Sequence, residues 1–289
     1  MRDWKRAAHI AGGLLAAGGG AFMLMRLHEQ AGALDLSRIS TSQWWGLATL
    51  LIVNVAMLAL LAIGWRQALL GWGAEVSPRW ALATYGRTQL ARYVPGNIFH
   101  FAGRQLIGMS CGIPAGALIK ASATELALLV TSGCLLGGLA APLYATWAPS
   151  LVTMAAFLTI PIVASVLWRM SGKVVMQAFL AYLAYMALSA LVFLGILFLH
   201  APPGSIHGEW IALGGAYVVG WLVGVVTPGA PAGLGVREMV LLVLLRGQVD
   251  GDLLLFSVLM TRVLAVLADV FCFVLAAVMR PNAERGGRA

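Results

Sequence analysis

Two short elements of the sequence combine a helix-breaking Pro-Gly pair with an arginine nine residues after the proline. The first, Arg92–Arg104, reads RYVPGNIFHFAGR, and the second, Thr227–Glu238, reads TPGAPAGLGVRE, with its arginine at Arg237. Proline and glycine end one helix, and the helix that restarts presents unpaired amides and the positive end of its dipole. Such an end binds anions, and an arginine adds a planar fork suited to phosphate or carboxylate. The paired elements therefore predict an anion site.

The composition places these elements in a membrane protein. The 289 residues are 61% hydrophobic and 10% charged, whereas soluble domains carry about 25% charged residues. In a membrane protein, an excess of positive charge such as the net +8 here usually lies in cytoplasmic loops. The charge is therefore no evidence for binding of nucleic acid, and no nucleic-acid partner is expected. Nucleotide, zinc and hydrolase motifs do not occur, so neither cofactor nor metal is expected. The three cysteines lack metal or disulfide spacing and are interpreted as packing residues.

Apolar stretches of membrane length predict most of the architecture. They lie at 9–25, 44–64, 122–146, 151–168, 175–199, 211–227 and 253–279. Two shorter stretches, 97–113 and 232–246, each follow a Pro-Gly pair and suggest half-helices, re-entrant segments or short tilted spans. No soluble domain fits between the stretches. Residues 1–289 therefore predict a single integral-membrane domain.

The distribution of lysine and arginine predicts the orientation. Basic residues cluster in the N-terminal tail, in 66–120 and after the last span, whereas 200–210 has none. Both termini are therefore expected in the cytoplasm of a bacterial-type inner membrane. Termini on the same side require an even number of crossings, whereas the stretches of membrane length number seven. The shorter stretch 232–246 is therefore expected to cross as well. A re-entrant or interfacial element is expected near 80–113. The sequence predicts an all-α polytopic membrane protein with about eight transmembrane helices and Pro-Gly-interrupted short or re-entrant helices.

The last span carries two charges, Arg262 and Asp269, seven residues apart. This spacing separates them by roughly 10 Å along a helix, so partners on other helices are expected. Glu125 and Glu238 are the acidic candidates for Arg262. Two interpretations stay open for these charges: interhelical ion pairs that fix the packing, or a relay coupled to protons or cations.

The two elements also carry a resemblance. YVPGNIFHFAGR and PGAPAGLGVRE resemble the signature elements of the lysylphosphatidylglycerol synthetase/flippase integral-membrane domain family, and the similarity spans about 40–280. The GLGVRE ending is the more specific part, although the second element departs from the commoner PGGLG form. The resemblance implies a membrane domain that moves or presents a lipid head group. Because the chain lacks a soluble aminoacyl-transferase domain, synthesis of lysyl-lipid is not implied.

We therefore expect a lipid flippase or transporter-like protein, rather than an enzyme, that binds the anionic head group of a phospholipid or a polyprenyl-linked glycan. Arg104 and Arg237 are expected to hold the anion; Asn97, His100 and Glu238 to contact other polar parts; and Arg92 and Tyr93 to lie at the membrane interface. One alternative is a membrane-embedded transferase that uses a lipid-linked donor. Another is a non-catalytic partner of a cell-surface glycan synthesis enzyme. In a third interpretation, the Pro-Gly pairs are ordinary turns and the arginines only set orientation. The lipid, the energy source and the oligomeric state, including a homo-oligomer, stay open.

Overall fold

The fold is helical throughout the part of the chain that the structure describes. The computed structural model describes residues 39–94, 98–143, 149–227, 233 and 235–279. Within these residues the α-helices are α1 (Thr41–Gly71), α2 (Pro78–Gln89), α3 (Phe99–Ser110), α4 (Ala115–Gly137), α5 (Pro149–His200), α6 (Trp210–Val226), α7 (Val236–Leu244) and α8 (Gly251–Val278). Short 3₁₀ helices, Leu90–Tyr93 and Gly138–Leu143, extend α2 and α4. The expected all-α class is confirmed. The predicted span 9–25, both Pro-Gly pairs and Asn97 lie outside the described residues.

The long helices follow the predicted apolar stretches. Among the described residues, α1, α4 with its 3₁₀ extension, α5 and α8 are long and apolar enough to cross a membrane. Helix α6 is apolar but shorter. Helix α5 covers both predicted spans 151–168 and 175–199, and Gly172 divides it with non-helical backbone angles (φ 80°, ψ 175°). A positive φ suits glycine because it has no Cβ, which explains why the break occurs at Gly172. The basic residues Arg169 and Lys173 flank this break.

Serine caps mark where two of the helices begin. The Ser40 hydroxyl accepts a hydrogen bond from the Gln43 amide, and the Gln43 side chain accepts one from the Ser40 amide. This reciprocal capping box satisfies amides that would otherwise lack partners at the start of α1. Ser77 accepts from the Trp80 amide in the same way, and Pro78 occupies the first position of α2, where its fixed φ favours a helix.

The helices that restart after the Pro-Gly pairs are too short to span a membrane alone. Helix α3 has 12 residues and α7 has 9, so they measure roughly 18 Å and 14 Å against a hydrocarbon core of about 30 Å. Gly235 caps α7 with a φ of 81°. These lengths are those of half-helices, one of the forms that the sequence left open.

Backbone hydrogen bonds show which helix ends share one end of the bundle. The His207 amide donates to the Gln248 carbonyl at 2.8 Å, and the Asp250 amide donates to the Ser205 carbonyl at 3.0 Å. The loop that enters α6 therefore lies beside the loop that joins α7 to α8. It follows that α7 returns the chain to the end of the bundle at which α6 began.

Glycines allow the short elements to pack closely against the long helices. A Cβ at Gly86 of α2 would lie 2.8 Å from the Cβ of Ala276 on α8. A Cβ at Gly224 of α6 would lie 3.3 Å from the Cα of Gly233 and 3.4 Å from the Cβ of Arg237. Small residues at such contacts let helix backbones approach in membrane proteins. The packing fixes α2 against α8 and α7 against α6.

Candidate anion-binding site

A cavity of about 300 Å³ lies within the helical bundle. Each of the eight helices contributes at least one lining residue, and the first 3₁₀ helix contributes another. The first turns of both short helices reach it, through His100 and Phe101 on α3 and Arg237 on α7. The two Pro-Gly elements therefore lead to one cavity. Its volume is at the lower end of the range for small-molecule sites.

Two charged residues that line the cavity lie near the middle of long helices. Glu125 is ten residues into α4 and Arg262 is eleven residues into α8, which places both roughly 15 Å along their helix axes. Arg237 packs at Gly224, fourteen residues into α6, or roughly 21 Å from its start. Because the hydrocarbon core is about 30 Å thick, these polar groups lie deep within the membrane-spanning bundle.

The rim of the cavity is apolar and exposed. Ile98 before α3, Leu126 on α4 and Val226 on α6 line the cavity, and all three side chains are exposed on the bundle surface. Exposed apolar side chains on membrane-spanning helices face lipid chains rather than water. The apolar rim is therefore suited to contact with lipid chains, which would stay outside while a head group entered the cavity.

Arg104 forms a buried ion pair behind the cavity. Its Nη1 lies 2.8 Å from Oε2 and 3.1 Å from Oε1 of Glu125 on α4, and the Tyr85 hydroxyl donates to Oε1 at 2.9 Å. The guanidinium also lies over the rings of Tyr85, Phe101 and Trp65, with centroids at 4.4, 4.9 and 5.3 Å. Glu125 lines the cavity, whereas Arg104 does not. This corrects the expectation that Arg104 faces the anion: a carboxylate of the chain already pairs with it.

Arg92 and Tyr93 share one carboxylate in the interior. Asp269 on α8 lies 3.2 Å from Nη2 of Arg92 and accepts a 2.5 Å hydrogen bond from the Tyr93 hydroxyl. Tyr93 is fully buried, and Arg92 lines the cavity. Asp269 therefore holds both residues inside the bundle against α8, and their position at the membrane interface stays a prediction.

Arg262 pairs with the second of its two acidic candidates. Its Nε lies 3.3 Å from Oε1 of Glu238 on α7, whereas Glu125 pairs with Arg104 instead. The contact is an ion pair by distance, but Nε and Nη2 of Arg262 and Oε2 of Glu238 make no hydrogen bond. The interhelical ion-pair interpretation fits these contacts. The relay stays a prediction.

Arg237 has no carboxylate partner among the described residues. It is 9% exposed, its Nη2 makes no hydrogen bond, and its guanidinium lies 4.2 Å from the ring centroid of Tyr217 on α6. An aromatic face stabilises a desolvated cation by about 2 kcal/mol, less than the several kcal/mol that burial of a charge costs. An unpaired, buried arginine in a cavity therefore favours an anion at this position.

His100 faces the same cavity with an unpaired ring nitrogen. The centroid of its ring lies 4.0 Å from that of Phe101, and Nδ1 makes no hydrogen bond. His100 therefore leaves a polar atom available to a ligand.

Two tyrosines complete the site and could not be identified from the motifs. Tyr85 on α2 contacts Arg104, and Tyr217 on α6 contacts Arg237, so each arginine packs on a ring from the helix before its own break. Each tyrosine precedes its Pro-Gly pair by about ten residues, which is a signal that the sequence contains. The same aromatic contact thus recurs at both elements, but within the part of the chain that the structure describes only the first arginine has an acidic partner.

Comparison with known proteins does not extend this description. The chain matches no protein-family profile and has no significant match among curated proteins. Within the described residues, no group of three or more histidine, cysteine, aspartate or glutamate side chains could hold a metal ion.

Proposed function

We propose that this protein is a lipid flippase or transporter-like membrane protein that binds the anionic head group of a phospholipid or polyprenyl-linked glycan. One observation carries the proposal: Arg237 is buried in a cavity with an apolar, exposed rim and has no carboxylate partner among the described residues. An arginine fork matches two phosphate oxygens, and phosphate is the anion that phospholipid and polyprenyl-phosphate head groups share.

The cavity supplies further donors for such a head group. Arg262 lines it with Nε and Nη2 free of hydrogen bonds, and Arg92 lines it with a free Nε. Leaving buried donors unsatisfied costs about 1–3 kcal/mol each, and more when the group is charged. A phosphate that accepts from Arg237 and Arg262 would remove part of this cost, which favours binding inside the bundle over binding at its surface.

The proposed topology has about eight crossings with both termini in the cytoplasm. Seven crossings would be supplied by α1, α4, the two parts of α5, α6, α7 with its preceding segment, and α8. The predicted span 9–25 would supply the eighth. We propose membership of the lysylphosphatidylglycerol synthetase/flippase membrane-domain family on the two sequence elements. Both elements lead to the cavity, which is where a family of head-group transporters would need them.

The transferase alternative is weaker on geometry. A general base needs an orienting partner within hydrogen-bond reach, but Nδ1 of His100 has none. Oε1 of Glu238 already lies 3.3 Å from Nε of Arg262, so this carboxylate is engaged in an ion pair. The non-catalytic partner stays the second alternative, because a cavity alone does not demonstrate transport.

Reconstitution separates these functions. The purified full-length chain would be placed in liposomes with fluorescent phosphatidylglycerol, and movement between leaflets would be followed by quenching of the outer leaflet with dithionite. We expect movement without chemical change. A new lipid product would instead support the transferase, and neither movement nor product would support the non-catalytic partner.

Two variants test the role of Arg237 in that assay. Arg237→Gln removes the unpaired charge and should reduce movement at least tenfold. Arg79→Gln is the matched control, because Arg79 is exposed on α2 and does not line the cavity, so its loss should leave movement unchanged. Equal movement in the two variants would contradict the proposal.

A further inference from the structure

We infer that the cavity selects head groups with one negative charge, the charge of a phosphodiester, over diphosphates that carry two. This inference rests on the proposed function, because it takes binding of an anionic head group beside Arg237 as its starting point. It narrows the substrate class to phospholipids and polyprenyl-monophosphate sugars, which share the phosphodiester, and excludes polyprenyl-diphosphate sugars.

The first observation is the balance of charges around the cavity. Three carboxylates are paired in turn with three arginines, as Glu125–Arg104, Asp269–Arg92 and Glu238–Arg262. Arg237 is the fourth arginine of this group and has no such partner among the described residues. The group therefore carries a formal excess of one positive charge, which one negative charge on a ligand would neutralise.

The second observation is that two of the arginines cannot be released to a ligand cheaply. Arg104 is held by both oxygens of Glu125 and by three aromatic rings. Arg92 is held by Asp269, which also accepts from the Tyr93 hydroxyl. These two pairs therefore remain neutral when a ligand enters, and they do not contribute positive charge for a second phosphate.

The third observation is the position of the remaining acids. Glu125 lines the cavity itself, and Glu238 is the residue beside Arg237 and has a free Oε2. A like charge held at close range in a low-dielectric interior disfavours a second charge strongly. Arg237 and Arg262 have donors for the oxygens of one phosphate. A second phosphate charge would find no unpaired arginine of this group among the described residues to match it.

The inference is tested by comparing ligands on the intact protein. The detergent-purified full-length chain would be titrated with phosphatidylglycerol, a polyprenyl-phosphate monosaccharide and a polyprenyl-diphosphate monosaccharide, with phosphatidylcholine as the zwitterionic reference, and bound lipid counted by native mass spectrometry. We expect one or both phosphodiesters to bind at least tenfold more tightly than the diphosphate, and which of them binds identifies the lipid source. Equal or tighter binding of the diphosphate would overturn the inference while leaving head-group binding intact.

A charge-changing variant sharpens the test. Glu238→Gln keeps the side-chain shape and raises the formal excess to two, so the preference should shift at least tenfold toward the diphosphate. Glu75→Gln removes an exposed acid away from the cavity and should leave the preference unchanged. An unchanged preference in Glu238→Gln would contradict the inference. If no anionic lipid binds the unaltered chain more tightly than phosphatidylcholine, the proposed function itself fails, and the inference fails with it.

Discussion

Glu125→Gln should strongly destabilise the fold. Its effect should exceed that of a neutral replacement at any described acid that forms no ion pair. Glu125 is 1% exposed, and its two oxygens accept from Nη1 of Arg104 and from the Tyr85 hydroxyl. Glutamine replaces one oxygen with an NH₂ donor that faces the guanidinium, so a buried cation is left without a counter-charge. Loss of one partner from a buried ion pair costs about 3–5 kcal/mol, which corresponds to a fall in Tm on the order of 10 °C.

The assay is thermal unfolding of the purified protein in detergent, followed by tryptophan fluorescence. Glu75→Gln is the control and should change stability by less than about 0.5 kcal/mol, because Glu75 is exposed. The double variant Arg104→Met/Glu125→Gln should recover at least about half of the loss, because it removes the uncompensated cation as well. A Glu125→Gln protein as stable as the control, or a double variant no better than the single one, would refute the buried-pair explanation.

Three further outcomes are expected. Arg262→Leu leaves the mostly buried Glu238 without a cation, so Tm should fall by several degrees, and an unchanged unfolding profile would count against the pair. Arg87→Gln removes hydrogen bonds to the carbonyls of Ala276 and Met279 at the end of α8, which should cost about 1–3 kcal/mol in the same unfolding assay; a loss below about 0.5 kcal/mol would show that the contact is dispensable. A cysteine at the exposed position Glu209 should react with an impermeant maleimide added to intact cells, whereas protection there, with labelling only after lysis, would reverse the proposed orientation.

The helices could be predicted from the sequence because apolar length is a local property. The stretches 211–227 and 253–279 reappear as α6 and α8 to within two residues at each end. The division of α5 at Gly172 falls in the gap between the predicted spans 151–168 and 175–199. The half-helices α3 and α7 follow from the Pro-Gly pairs, since proline and glycine limit where a helix can restart.

The pairing of the charges could not be predicted, because it depends on which helices become neighbours. Asp269 accepts from Tyr93 across 176 residues of sequence, and no local pattern encodes such a contact. Arg104 and Arg237 look equivalent in the sequence, since each lies nine residues after its proline. The arrangement of α4 beside α3 places Glu125 against Arg104, whereas no described acid pairs with Arg237.

Binding of a head group beside Arg237, which has no carboxylate partner among the described residues, can be tested directly. A cryo-electron microscopy structure of the full-length protein in nanodiscs rich in phosphatidylglycerol would show what occupies the cavity. We expect a head-group phosphorus within about 4 Å of the Arg237 guanidinium, the range of a direct phosphate hydrogen bond, with the lipid chains leaving past Ile98 and Val226. A lipid-free cavity in which Arg237 pairs with a carboxylate of its own chain would contradict the central claim.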